Sequence, residues 1–110
     1  MTNEQEIEQE IQDKGLTAPR LTPDLIDACI KTTLFHQFTD TQLIICCLIL
    51  QNGFTVTGES ACASPENFDL EIGRKIAKSN ARDKIWLLEG YLLKETLYKR
   101  EGKDETSIKS

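Results

Sequence analysis

The residues with the clearest capacity for chemistry are four cations in the second half of the chain: Arg74, Lys75, Lys78 and Arg82. Steps of four residues place three of them along one stripe of a helix, with the fourth beside it. Guanidinium and ammonium groups arranged in this way hold phosphate groups. We therefore predict a phosphate-binding site, completed by the same stripe of a second copy. The alternative is a solvated helix face whose cations pair with nearby carboxylates.

A second candidate site is a polar column on a predicted β-strand. Thr55, Thr57 and Glu59 alternate along the chain, so they project from one face of an extended strand. Two hydroxyls and a carboxylate can hydrogen-bond to a sugar or to a base edge. The column is a candidate ligand-binding surface, and the alternative is the ordinary solvent-facing side of a strand.

Other common chemistries find little support in the residue types. The cysteines include no C-x-x-C pair and the chain has one histidine, His36, so no metal site is predicted. The stretch Gly58–Cys62 resembles a nucleophile elbow but lacks its final glycine. We therefore predict no catalytic residues, no metal and no cofactor. The four thiols, predicted to be reduced, are Cys29, Cys46, Cys47 and Cys62.

Composition and charge narrow the class of protein. The 110 residues are 39% hydrophobic and 28% charged, as in one soluble globular domain. The net charge is −5, and this acidity argues against a general nucleic-acid binder. The apolar run Leu43–Leu50 is too short to span a membrane. Four glutamates within residues 1–10 argue against a signal peptide.

A β-hairpin is the clearest predicted element. Residues 41–51 are rich in strand-forming side chains, Asn52-Gly53 is a strong turn signal, and residues 54–61 form the returning strand. A two-residue turn would place Leu48 opposite Thr57 and Ile49 opposite Val56.

Two predicted helices flank the hairpin. The first begins at Thr22-Pro23-Asp24 and ends near Thr32-Thr33, followed by a connector over residues 34–40. The second begins at Ser64-Pro65-Glu66 and runs to about Tyr98. The predicted fold is α+β, a hairpin packed against a long C-terminal helix and a short N-terminal helix. We predict a mobile acidic arm at residues 1–20, one domain at 21–98 and a disordered tail at 99–110.

The amount of apolar surface predicts a homo-oligomer. The first hairpin strand is apolar on both faces, and the second half of the long helix is apolar nearly all round. One chain of 110 residues has too few other elements to cover both the strand and the helix. The residues assigned to an interface between copies are Leu48, Leu50, Gly73, Ala77, Ala81, Trp86 and Tyr91.

A set of segments within residues 40–95 has a specific wording and spacing. These segments are Asn52–Cys62, Pro65, Asn67–Asp69, Glu71–Ala77, Asn80-Ala81, Lys84–Trp86 and Gly90–Leu93. In them the chain resembles a family of small tailed-phage proteins, typified by the gene forty-nine product of coliphage N-four and the gene sixty-six product of a Shigella podophage. One departure is Leu87, where the family pattern leads us to expect a proline nearby.

The resemblance implies a phage or prophage accessory protein that acts in the cytoplasm of a bacterial host, and it supplies no site residues. We expect a non-enzymatic protein that binds and inhibits a host component, such as part of an anti-phage defence. One alternative is an oligomeric sponge that sequesters a nucleotide second messenger on the basic stripe. The other is a small hydrolase or transferase, for which no acid–base constellation is visible.

Overall fold

The fold combines a three-stranded antiparallel sheet with one long helix. A computed structural model of the chain describes residues 3–16 and 18–102. In chain order the elements are α1 (Asn3–Asp13), α2 (Pro23–Ala28), β1 (Ile30–Gln37), β2 (Leu43–Leu50), β3 (Thr55–Ala61), a short 3₁₀ helix (Pro65–Asn67) and α3 (Leu70–Arg100). The strand order is β1-β2-β3, and α3 packs on one face of the sheet. The predicted α+β class is confirmed, with one strand more than predicted.

The strand β1 replaces the predicted end of the first helix and the predicted connector. Thr22 caps α2 as predicted, because its Oγ1 accepts a hydrogen bond from the backbone N–H of Leu25 at 3.2 Å. The helix nevertheless ends at Ala28, and β1 pairs with β2 from Ile30 onward. Residues 30–35 are mostly β-branched or aromatic, which favours a strand when a neighbouring strand edge is free. The prediction of a helix to Thr32-Thr33 is therefore wrong.

The hairpin has a three-residue turn, so the predicted register is wrong by one residue. Leu48 lies opposite Val56, and Cys47 lies opposite Thr57. Gly53 adopts a positive φ of 90°, and its N–H donates to the carbonyl of Leu50 at 2.9 Å. This conformation, which glycine adopts readily, adds a residue to the turn. The shift brings the buried residues of β2 and β3 onto one face, under α3.

Close packing of α3 on β3 depends on a glycine in the strand. A Cβ added at Gly58 would lie 2.2 Å from the backbone nitrogen of Ala81 and 2.5 Å from the backbone oxygen of Ala77. Ala77 and Ala81 are fully buried, as is Ile85 one turn further on. The helix backbone thus sits directly on the strand backbone, and the small side chains permit this approach.

The helix α3 begins five residues later than predicted. Pro65 starts a single 3₁₀ turn, not α3, and Ser64 makes no side-chain cap. The cap is Asp69, whose carboxylate accepts a hydrogen bond from the N–H of Ile72 at 3.0 Å. Phe68 lies between the two helices with an extended backbone and packs against the core, which separates them. From Leu70 the helix continues without a break for 31 residues.

The helix α1 lies within the predicted mobile arm and is held by ion pairs. Glu8 accepts hydrogen bonds from both terminal nitrogens of Arg20 at 2.7 Å. Hydrogen bonds from Arg20 and Gln12 hold the pKa of Glu8 at about 2, well below its usual range. The mobility of the arm stays a prediction. At the other end, residues 99 and 100 belong to α3, and residues 103–110 of the predicted tail lie outside the described residues.

Substitution of Gly58 tests this packing. We expect Gly58→Ala to lower the free energy of unfolding by roughly 2–3 kcal/mol, because the added methyl group must displace the α3 backbone. Gly90→Ala is the control, since its Cβ would meet only Leu21 at 3.9 Å and alanine favours a helix. Urea denaturation measures both. Equal stability of Gly58→Ala and the parent protein would show that the helix does not rest on this glycine.

Candidate functional site

The candidate site is a cleft between β1 and the first turns of α3. Its volume is about 370 Å³, and it is lined by Phe35, Leu70, Glu71, Arg74, Lys75 and Lys78. One aromatic ring and three cations therefore line the same small space.

An aromatic ring and a guanidinium group form the centre of the cleft. Phe35 is paired with Cys46, which is buried under α3, so both side chains lie on the helix side of the sheet. The guanidinium carbon of Arg74 lies 5.5 Å from the centroid of the Phe35 ring, within the range of a cation–π contact. Phe35 as a whole remains 37% exposed, so the residue is partly open to a ligand.

The lysines bring further positive charge to the cleft. Lys75 forms an ion pair with Glu71, with 3.8 Å between Nζ and Oε2, and both side chains are more than 60% exposed. Exposed pairs of this kind contribute little to stability. An anion that enters the cleft can therefore compete with Glu71 for Lys75. Lys78, on the next turn of α3, lines the same space.

Arg82 does not belong to this cleft, which corrects the predicted four-residue stripe. Its guanidinium donates to Glu4, to Asp27 at 2.8 Å and to the backbone oxygen of Pro23 at 3.2 Å. Burial alone would lower the pKa of Arg82, but the hydrogen bonds to Glu4 and Asp27 outweigh that effect and raise it. Arg82 therefore ties α1 and α2 to α3, and Arg74, Lys75 and Lys78 remain as candidate phosphate ligands.

The predicted polar column lies on the other face of the sheet. Thr55, Thr57 and Glu59 are exposed on β3, opposite Ile49, Cys47 and Ile45 of β2. The predicted register places the column beside Leu48 and Leu50. In the structure, Leu48 and Leu50 lie on the opposite face of the sheet, towards α3. The structure does not bring the column and the basic cleft together, and its ligand-binding role stays a prediction.

Most residues predicted for an oligomer interface are covered within one chain. Leu48, Ala77 and Ala81 are fully buried, Leu50 is nearly so, and Gly73 lies against Ile44 and Ser60. A second copy is not needed to explain their apolar character.

The two aromatic residues of that prediction differ in their surroundings. Trp86 is partly buried and donates its indole N–H to Glu4 at 3.0 Å. Tyr91 is 68% exposed and offers its surface to solvent.

The thiols and the histidine are the remaining side chains that the sequence singles out. Across residues 3–16 and 18–102, no three of the side chains that ligate metals lie close enough to hold an ion. The four cysteines are free, and burial raises the pKa of the Cys46 thiol. The His36 ring packs edge-on against Phe38 with 4.6 Å between centroids. Within the same described ranges, no helix has the length and apolar character needed to cross a membrane.

Phe35 is the site residue that the sequence reasoning missed. It falls within the predicted connector over residues 34–40, where an aromatic side chain has no defined neighbour. The signal was the run of β-branched and aromatic residues from Ile30 to Phe35, which is typical of a strand. Once β1 is recognised, its pairing with β2 is what places Phe35 beside α3.

The fold and the cleft define a small α+β protein with a basic groove beside an exposed aromatic ring. Residues 21–97, more than half of the chain, match the family described as "Phage protein (N4 Gp49/phage Sf6 gene 66) family". The chain belongs to this family of phage proteins, and the predicted resemblance is confirmed. The comparisons with curated proteins and with solved structures found no match.

The different roles of two arginines on α3 are testable. We expect Arg82→Gln to lower the free energy of unfolding by about 1–3 kcal/mol, because Glu4 and Asp27 lose their partner. Arg74→Gln, the matched change on an exposed arginine, should shift it by at most about 0.5 kcal/mol. Urea denaturation of both variants gives the comparison. Similar losses in the two variants would contradict the distinction.

Proposed function

We propose that this phage protein acts in the bacterial cytoplasm by binding, not by turnover, and that it sequesters a small nucleotide-like molecule. The observation that carries the proposal is the cation–π contact of Arg74 with the partly exposed Phe35, with Lys75 and Lys78 in the same cleft. An aromatic ring and several cations together match the two parts of a nucleotide, its planar base and its phosphates.

The energetics favour a ligand that has both parts. Stacking of a base on an aromatic side chain contributes about 1–3 kcal/mol. Charge-assisted hydrogen bonds from arginine or lysine to phosphate contribute about 1.5–3 kcal/mol each. Inorganic phosphate would gain only the second contribution, and an uncharged nucleoside only the first. The cleft, at about 370 Å³, also falls within the range typical of small-molecule sites.

The distribution of charge favours a small anion over a long nucleic acid. The protein as a whole carries a net charge of −5, whereas the cleft gathers three cations and one carboxylate. Non-specific binding of DNA or RNA depends on a broad basic surface that contacts many phosphates. A local cluster in an acidic protein attracts a ligand of a few charges and repels an extended polyanion.

Direct titration tests this proposal. The probes are ATP, cyclic AMP and cyclic di-AMP, with inorganic phosphate and adenosine as controls, measured by isothermal titration calorimetry. We expect at least one nucleotide to bind. Arg74→Glu should weaken that binding at least tenfold through charge reversal, and Phe35→Leu should weaken it by roughly 5- to 150-fold through loss of stacking.

Controls separate a lost site from a lost fold. Arg100→Glu reverses an exposed arginine at the far end of α3 and should leave the affinity unchanged. Unfolding curves should show that Arg74→Glu and Phe35→Leu remain folded. Nucleotide binding that is equal in the parent protein and in Arg74→Glu would overturn the assignment of the cleft.

The open face of the sheet supports a second candidate, a protein that binds and inhibits a host component. Ile45, Cys47 and Ile49 form an apolar row on the face that α3 does not cover, with Leu34 beside them half exposed. Such a row is a common basis for contact with another protein. This candidate predicts that Ile45→Lys, and not Arg74→Glu, abolishes co-purification of a specific host protein.

A further inference from the structure

The second half of α3 extends past the sheet and exposes an apolar patch. A helix of 31 residues is about 46 Å long, whereas an eight-residue strand spans only about 26 Å. The last fully buried residue of the helix is Ile85, and the helix continues for fifteen residues beyond it. The exposed apolar residues, which we name the α3 patch, are Phe54, Leu87, Leu88, Tyr91 and Leu92.

The α3 patch is one continuous surface. Its five residues, together with Leu50, Asn52 and Glu89, line a single groove of about 460 Å³ between the hairpin turn and the helix. Leu87 is 76% exposed, the highest value among the large apolar side chains of the described residues. Monomeric proteins seldom leave several large side chains exposed at one place unless something binds there.

We propose that the α3 patch binds the same patch of a second copy, with the two α3 helices antiparallel about a two-fold axis between Leu88 and Tyr91. The residues along the centre of the helix face are Lys84, Leu88, Tyr91 and Glu95, spaced by four, three and four. This spacing is that of a helix–helix seam. The inference does not rest on the nucleotide proposal.

Charge complementarity supports a second copy and sets its orientation. In the antiparallel arrangement Leu88 of each chain meets Tyr91 of the other. Lys84, four residues before Leu88, then meets Glu95, four residues after Tyr91. The two-fold axis repeats both contacts, so the apolar centre is flanked by an opposite-charge pair at each end. A parallel arrangement would instead place Lys84 against Lys84 and Glu95 against Glu95, which opposes association.

The area of the patch is enough for a specific dimer. With about 200 Å² for each fully exposed side chain of this size, the five residues offer roughly 600 Å² per copy. Two copies would then bury about 1,200 Å², which is the lower limit of specific protein interfaces. The interface that we predicted from sequence thus moves from residues buried within the chain to exposed residues around Tyr91.

Sedimentation of the full chain tests the dimer. We expect the parent protein to sediment as a dimer, or as a larger even assembly, at about 50 μM. Leu87→Lys should raise the dimer dissociation constant at least tenfold, since it places a charge within the apolar α3 patch beside the central seam. Leu16→Lys is the matched control, because Leu16 is 59% exposed outside the patch, and it should leave sedimentation unchanged. A monomeric parent protein, or a dimer unaffected by Leu87→Lys, would overturn the proposal.

Charge reversal tests the orientation independently of folding. Lys84→Glu and Glu95→Lys should each raise the dissociation constant about tenfold, because each creates two like-charge contacts across the axis. The double variant restores opposite charges and should regain most of the parent affinity. Failure of the double variant to recover would overturn the antiparallel register. An odd-numbered assembly would overturn the two-fold arrangement.

Discussion

The structure depends on the absence of a side chain at Gly58. That absence lets the α3 backbone rest on the backbone of β3, with Ala77 and Ala81 in direct contact. A helix held this close to the sheet has a fixed rotation about its own axis, since only its small-residue side fits. The rotation brings Arg74 over Phe35 at one end of the helix. At the other end it carries the apolar residues near Tyr91 past the hairpin turn.

Carboxylates from the N-terminal half of the chain divide the four cations of the predicted stripe into two groups. Glu4 of α1 and Asp27 of α2 form ion pairs with Arg82, and these ion pairs hold α1 and α2 against α3. Among the described residues, the carboxylate that lines the cleft around Arg74 is that of Glu71, which belongs to α3 itself. Of the predicted stripe, Arg82 therefore has a structural role, whereas Arg74, Lys75 and Lys78 form a cluster that is open to a ligand. The net charge of the chain conceals this division, because it sums charges that act in separate places.

Local signals in the sequence predicted the α+β class, the hairpin, the Thr22 cap and the approximate extent of the long helix. Long-range pairing was harder to predict. The residues of β1 come one residue after the end of the short helix α2, and they form a strand because β2 offers an edge with which they pair. The turn at Gly53 can have two or three residues. A change of one residue in the turn shifts the register, so that every residue of β2 changes face relative to the residues of β3. The sequence alone could predict that three cations lie together in the cleft. It could not predict that the Phe35 ring joins them, because only the pairing of β1 with β2 places Phe35 there.

Native mass spectrometry of the protein purified gently from a bacterial lysate tests the central claim, that the cleft beside Phe35 holds a phosphorylated aromatic ligand. We predict an added mass of about a few hundred daltons per site, as for a mononucleotide or dinucleotide, that is lost in Arg74→Glu and kept in Arg100→Glu. If the parent protein carries no added mass, the same measurement is repeated after incubation with ATP, cyclic AMP or cyclic di-AMP. No added mass in either case, or an added mass that persists in Arg74→Glu, would contradict the account.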